Sequence, residues 1–115
     1  MPLLEITTSN DLFESVREKI LREASAAIAQ SLGKSESSVM VTIKSAHNLF
    51  GGDSGPSAFI ELRSTGSLDS QTATRIAQSL CQLMETEADV PAERVYLNFV
   101  EVKRKNWAWN GRLLS

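Results

Sequence analysis

The two halves of this chain align with each other at an offset of 56 residues. Leu4-Glu5-Ile6 falls on Ile60-Glu61-Leu62, Ile20 on Ile76, Ala24 on Leu80 and Ile28 on Met84. Val39, Val41 and Ile43 fall on Val95, Leu97 and Phe99. A chain that repeats its apolar positions in this way is constrained to fold as two copies of one unit. The period within each copy says what the unit is. Alternation of two marks a half-buried strand and spacing of three and four marks an amphipathic helix.

In the first copy, Leu3 to Thr8 reads as a strand. Ser9-Asn10-Asp11 offers N-cap oxygens for a following helix. The helix carries Phe13, Val16, Ile20, Ala24, Ala27, Ile28 and Leu32 as its apolar face. Gly33 ends it, because a residue without Cβ takes the left-handed turn at no steric cost. Ser38 to Ala46 is the second strand, and residues 47–56 form a turn-rich loop. In the second copy, Ser57 to Ser64 is a strand and about Asp69 to Glu87 a helix with Ala73, Ile76, Ala77, Leu80, Leu83 and Met84 inward. Val90-Pro91 closes that region, and Arg94 to Val102 is the fourth strand. Asn106 to Trp109 reads as a short fifth strand before an Asn110-Gly111 turn. The fold class is therefore α/β (α+β), a tandem β-α-β repeat in one domain, with pseudo-repeats at about 1–56 and 57–115. One four-stranded sheet is expected, with both helices on one face and right-handed crossovers. The other face would present Leu3, Met40, Phe59 and Val100. Apolar surface of that kind predicts self-association.

Composition removes several function classes. A net charge of -2 with no long basic block gives no nucleic-acid footprint, and Lys103-Arg104-Lys105 reads as a solvated strand end. No apolar run approaches a membrane span, and no signal-like start is present, so a cytoplasmic location is expected. One cysteine, Cys81, leaves no intrachain disulfide, and one histidine, His47, makes a metal site improbable on ligand count. Gly51-Gly52 lacks the Lys-Ser/Thr ending of a phosphate loop.

The opening dipeptide carries the sharpest chemistry. If Met1 is trimmed, the Pro2 nitrogen becomes a secondary amine, rigid in its ring and able to take a proton. If Met1 stays, the same nitrogen is an amide without useful basicity. A proline at the start of a strand is also structurally ordinary, so the dipeptide alone does not decide between these readings.

Taken in order, Pro2, Gly33-Lys34, Phe50-Gly51-Gly52, Pro56, Ser64, Gly66, Leu80-Cys81, Arg94-Val95-Tyr96-Leu97-Asn98 and Trp109-Asn110 resemble the macrophage migration inhibitory factor family of the tautomerase superfamily, over nearly the whole chain. The resemblance implies a homotrimer with active sites between subunits and keto–enol tautomerase activity on phenylpyruvate-like α-keto acids, with no cofactor. It implies that Pro2 is the catalytic amine, that Lys34 binds the substrate carboxylate and that Thr65 contacts it through its backbone N–H. Tyr96 and Asn98 would come from the adjacent subunit, and Trp107 and Trp109 would line the pocket. Read without the resemblance, Lys34 is a cation at a helix C-terminus, Tyr96 and Asn98 are surface or interface residues, and the tryptophans are packing residues.

The departures narrow the alternatives. Leu114 replaces an aromatic residue and Trp107 stands where a valine is usual, which reshapes the aromatic end of the pocket. The Cys-x-x-Cys of some members falls here on Ser57 and Ile60, and Cys81 is expected to be buried on its helix, against a redox role. An arginine and an aspartate used by cytokine members to engage a receptor fall on Phe13 and Ser45. A cytokine-like protein with a receptor partner is thus the second reading, and a trimer with a vestigial pocket the third.

Overall fold

The computed structural model describes residues 1–115. The repeat is kept, with both helices in register and only the strands differing in length by one or two residues. β1 (Pro2–Thr8), α1 (Glu14–Leu32), a 3-10 turn (Glu36–Ser38) and β2 (Met40–Ser45) make the first copy. β3 (Ala58–Thr65), α2 (Ser70–Ala88), a second 3-10 turn (Ala92–Arg94) and β4 (Val95–Val102) make the second. Both helices begin, and both end, at positions 56 residues apart. A tail follows, with a third 3-10 turn (Arg104–Asn106), β5 (Ala108–Trp109) and β6 (Arg112–Leu113). The last two pair as an antiparallel hairpin. Asn110 and Gly111 close it at φ 54° and 74°, the left-handed pair that a tight two-residue hairpin loop needs.

The sheet runs β2-β1-β3-β4, with the outer pairs parallel and the central β1–β3 pair antiparallel. That is the arrangement of two crossover units related by a pseudo-twofold axis. Leu4, Ile6, Ile60 and Leu62 from the central strands meet Ile20, Ala24, Ile28, Ile76, Leu80 and Met84 from the helices, all fully or almost fully buried. Burial of these side chains, at about 1.5–3 kcal/mol each, is the main force holding the helices on the sheet.

Three expectations need correction. Ser9, Asn10 and Asp11 do not cap α1, which starts after Phe13 with no side-chain cap. Ser9 instead accepts the Ser57 N–H at 2.9 Å, and the Asn10 amide donates to the Ala88 carbonyl at 2.6 Å, so both serve long-range contacts. Phe13 is 83% exposed rather than part of the helix's buried face, because the helix begins only beyond it. The open face of the sheet is mixed rather than apolar. Met40, Phe59 and Val100 are exposed there, but Arg63 bridges Glu5 at 3.4 Å and Glu61 at 2.5 Å between them. No helix is long and apolar enough to cross a membrane.

Candidate active site

Pro2 opens β1 opposite Ser64, with its side chain fully buried. It sits at the end of the sheet where β3 and β4 finish. Lys34 reaches this end by the way α1 stops. Gly33 adopts φ 62°, its N–H goes to the Gln30 carbonyl, and the Lys34 N–H goes to Ala29 at 3.0 Å. This double closure turns the chain sharply and sets Lys34 in a fixed, half-buried place just before the 3-10 turn.

The terminal amine joins these groups. The Met1 amine donates to the Thr65 hydroxyl at 3.3 Å. Thr65 is buried, and its hydroxyl oxygen is the atom that accepts from the amine. The amine is pulled down from 8.0 to about 6. Its burial is the main cause, followed by the adjacent Lys34 side chain and charge and then the charge of Arg104. Desolvation and like charge both disfavour the protonated form. An amine held here is therefore largely unprotonated at neutral pH, the state that a general base needs.

Tyr96 and Asn98 lie elsewhere on the chain. They pair with Phe59 and Glu61, whereas Pro2 pairs with Ser64. Tyr96 is thus about 16 Å along the sheet from Pro2, at the rise of a strand. It lines a cavity of about 460 Å³ at the opposite end with His47, Asn48, Phe50, Ser57 and Phe59. Within one chain Tyr96 stands at the far end of the sheet from Pro2, and Asn98 stands midway along it.

Arg94, at the foot of β4, braces the Tyr96 end. Its guanidinium donates to the Pro56 carbonyl at 2.6 Å and to those of Asp53 and Gly55 at 3.0 Å, and it pairs with the Asp53 carboxylate. It also lies over the Phe50 ring at 5.3 Å, and Phe50 packs on Tyr96 with centroids 4.9 Å apart. Arg94 was legible only as part of a sequence motif. Its contacts with the 50–56 loop could not be read from spacing.

Trp107 is half-buried and Trp109 is 62% exposed. Both lie on the tail that leaves the Pro2 end of the sheet. The tail is tied back by the Leu114 N–H to the Trp107 carbonyl at 3.0 Å and by the Arg104 guanidinium to the Leu114 carbonyl at 2.9 Å. The basic run is therefore a 3-10 turn and not a strand end. Cys81 is half-buried rather than buried, and its thiol is pushed up by desolvation and by Glu85. That is the reverse of what an activated thiol needs. No group of three or more His, Cys, Asp or Glu side chains is arranged to hold a metal ion.

Comparison with known proteins adds the following. The family described as macrophage migration inhibitory factor matches residues 1–115. A macrophage migration inhibitory factor homolog of Brugia malayi is 32% identical over 112 residues, 96% of each chain. The solved structure of a homologue from Prochlorococcus marinus superposes with a TM-score of 0.93 at 29% identity, covering 98% of this chain and 99% of that one. That of the factor from Toxoplasma gondii gives 0.93 at 32% identity, over 96% and 98%.

Proposed function

This chain belongs to the macrophage migration inhibitory factor family, with the tautomerase-superfamily fold, and we propose that it is a keto–enol tautomerase of phenylpyruvate-type 2-oxo acids whose general base is the Pro2 nitrogen once Met1 is removed. The observation that carries this reading is the terminal amine, drawn down to about 6 beside Lys34 and Thr65. After removal of Met1 the new terminus lies one residue, about 3.8 Å between Cα atoms, further in. It starts from an α-amino value near 8, and in this reading burial and the nearby Lys34 cation lower it in the same direction.

In this reading the Lys34 ammonium holds the substrate carboxylate and so aims the carbon next to the ketone at Pro2. The neutral Pro2 nitrogen takes a proton from that carbon. The electron pair moves into the C–C bond that becomes the enol, the carbonyl oxygen gains a proton from water, and the Pro2 nitrogen gives its proton to water before the next turnover. The return of the Pro2 proton to carbon runs the reaction backwards. Thr65, released from the Met1 amine, supplies a hydroxyl to the carboxylate. Trp107 and Trp109 offer an apolar platform for the substrate ring. Family members are typically trimers, and a ring of three would set Tyr96 and Asn98 of one chain against Pro2 of the next, closing the pocket that one chain leaves open. Such a head-to-tail ring would also cover the edge strands β2 and β4.

Phenylpyruvate turnover by the processed chain tests the reading. Pro2→Gly keeps a primary amine but loses the rigid, more basic secondary one, and kcat/KM should fall about a hundredfold, the lower range for a general base. An undiminished rate in Pro2→Gly would assign the proton transfer to another group.

A further inference from the structure

The end of the sheet that holds the terminal amine is unusually cationic for a chain of net charge -2. Lys34, Lys103, Arg104 and Lys105 gather there, and none has a carboxylate within 4.0 Å. Two acidic groups, Glu101 and the chain terminus, lie with Lys103, Arg104 and Lys105. The Glu101 carboxylate is engaged in accepting the Leu68 N–H at 3.2 Å. Glu101 and the chain terminus at Ser115 lie on the rim of a cavity of about 590 Å³ that Gly66, Ser67, Lys103, Arg104 and Lys105 also line. Strand register places this cavity beside the amine, because Thr65, which touches Met1, pairs with Val102, and Arg104 follows two residues later.

Arg104 differs from the two lysines that flank it. One of its guanidinium nitrogens is fixed on the Leu114 carbonyl, and its own carbonyl accepts the Trp107 N–H at 3.2 Å. It is therefore held in one place, at the base of the turn that launches the proposed aromatic platform. Its remaining N–H groups have no protein acceptor. A guanidinium keeps its charge at any physiological pH and presents a fork that fits a carboxylate. A monocarboxylic 2-oxo acid needs one cation, and Lys34 provides it. A second fixed cation at the same end of the sheet has no use with such a substrate.

We propose that Arg104 is a second anion subsite of this pocket and that the preferred substrate is a 2-oxo acid with another carboxylate at the end remote from the first. The proposal rests on the tautomerase reading. The field of Arg104 at the amine agrees with its place beside the reacting atoms.

The test compares phenylpyruvate with 4-carboxyphenylpyruvate on the processed chain, its Arg104→Ala and Arg104→Lys variants, and Lys103→Ala. A charge-assisted hydrogen bond lost from the dianion predicts that Arg104→Ala lowers its kcat/KM about tenfold more than that of phenylpyruvate. Arg104→Lys should restore part of the difference. Lys103→Ala, which removes an equal charge, should leave the ratio near that of the parent. An unchanged ratio in Arg104→Ala, or an equal drop in Lys103→Ala, overturns the subsite. Calorimetric titration with cinnamate and 4-carboxycinnamate, which do not tautomerise, reads the same subsite without catalysis. A parent inactive on both substrates would sink the tautomerase reading, while Arg104-dependent preference for the dicarboxylate in the titration would still uphold the subsite, and its absence there would overturn it.

Discussion

The two copies of the repeat share a backbone and differ in chemistry. Gly33 and Asp89, 56 residues apart, end the two helices in the same left-handed turn, at φ 62° and 55°. The Met1 amine donates to Thr65, and at the equivalent positions the Ser57 N–H donates to Ser9. The next equivalence breaks the symmetry. Lys34 is half-buried and faces the site, whereas its counterpart Val90 is fully buried in the core. The nitrogen that could be a free amine in the first copy is an ordinary amide in the second, because the chain runs straight into Ser57 from the loop. The fold thus builds the same pocket scaffold twice. Only the first copy has a chain terminus and a cation beside it, the two features on which the proposed proton transfer rests.

The largest expected effect comes from forcing the second copy to imitate the first. Val90→Lys buries an unpaired ammonium in the core and should cost about 3–5 kcal/mol in urea unfolding. The reverse change, Lys34→Val, should leave stability nearly untouched and raise the KM for phenylpyruvate about tenfold, with a smaller change in kcat, because the proposed role of the lysine is to hold the carboxylate in ground and transition states alike. If Val90→Lys were as stable as the parent, the two positions would not differ in burial as described.

Arg94 offers a second way to separate the copies, since its guanidinium binds four loop carbonyls and the Asp53 carboxylate. Arg94→Ala should destabilise the chain by about 2 kcal/mol. Hydrogen exchange should rise first in residues 50–56, before it rises in the core.

How far such contrasts could be read beforehand depended on distance along the chain. Strand and helix positions were legible, because burial of Ile20 and Ile76 or of Leu4 and Ile60 follows from local periodicity. The start of α1 was not, because Ser9 and Asn10 spend their side chains on Ser57 and Ala88, partners far away in sequence. Phe13 looked like the first residue of an apolar stripe and stands outside the helix. Pro2 and Lys34 were legible as candidates, and the structure brings both to one end of the sheet. The separation of Tyr96 and Asn98 from that end follows from strand register, which spacing alone does not give. The mixed character of the open face came from Arg63 finding two carboxylates across the strands.

Smaller effects sharpen the comparison of helix ends. Asp89→Gly should stabilise the chain by up to about 1 kcal/mol, since the left-handed conformation costs a non-glycine residue about that much. Gly33→Ala should cost a similar amount. Thermal unfolding of the two variants reads this directly, and equal shifts in the same direction would contradict it. A separate effect is the pH dependence of the Met1-bearing chain. Its amine is lowered from 8.0 to about 6 on folding. Between these values the unfolded chain binds more protons, so stability should rise as pH goes from about 6 to 8 and level off above. Acetylation of the terminus should flatten that slope in a denaturant series.

The account turns on which nitrogen is free, and one measurement reaches it directly. Phenylpyruvate tautomerisation is followed for two preparations whose intact masses prove that one retains Met1 and the other begins at Pro2. The account predicts turnover by the Pro2 form, with kcat/KM rising through one ionisation below the ordinary α-amino value of about 8, and almost none by the Met1 form, whose Pro2 nitrogen is an amide. Equal rates from the two preparations would contradict it.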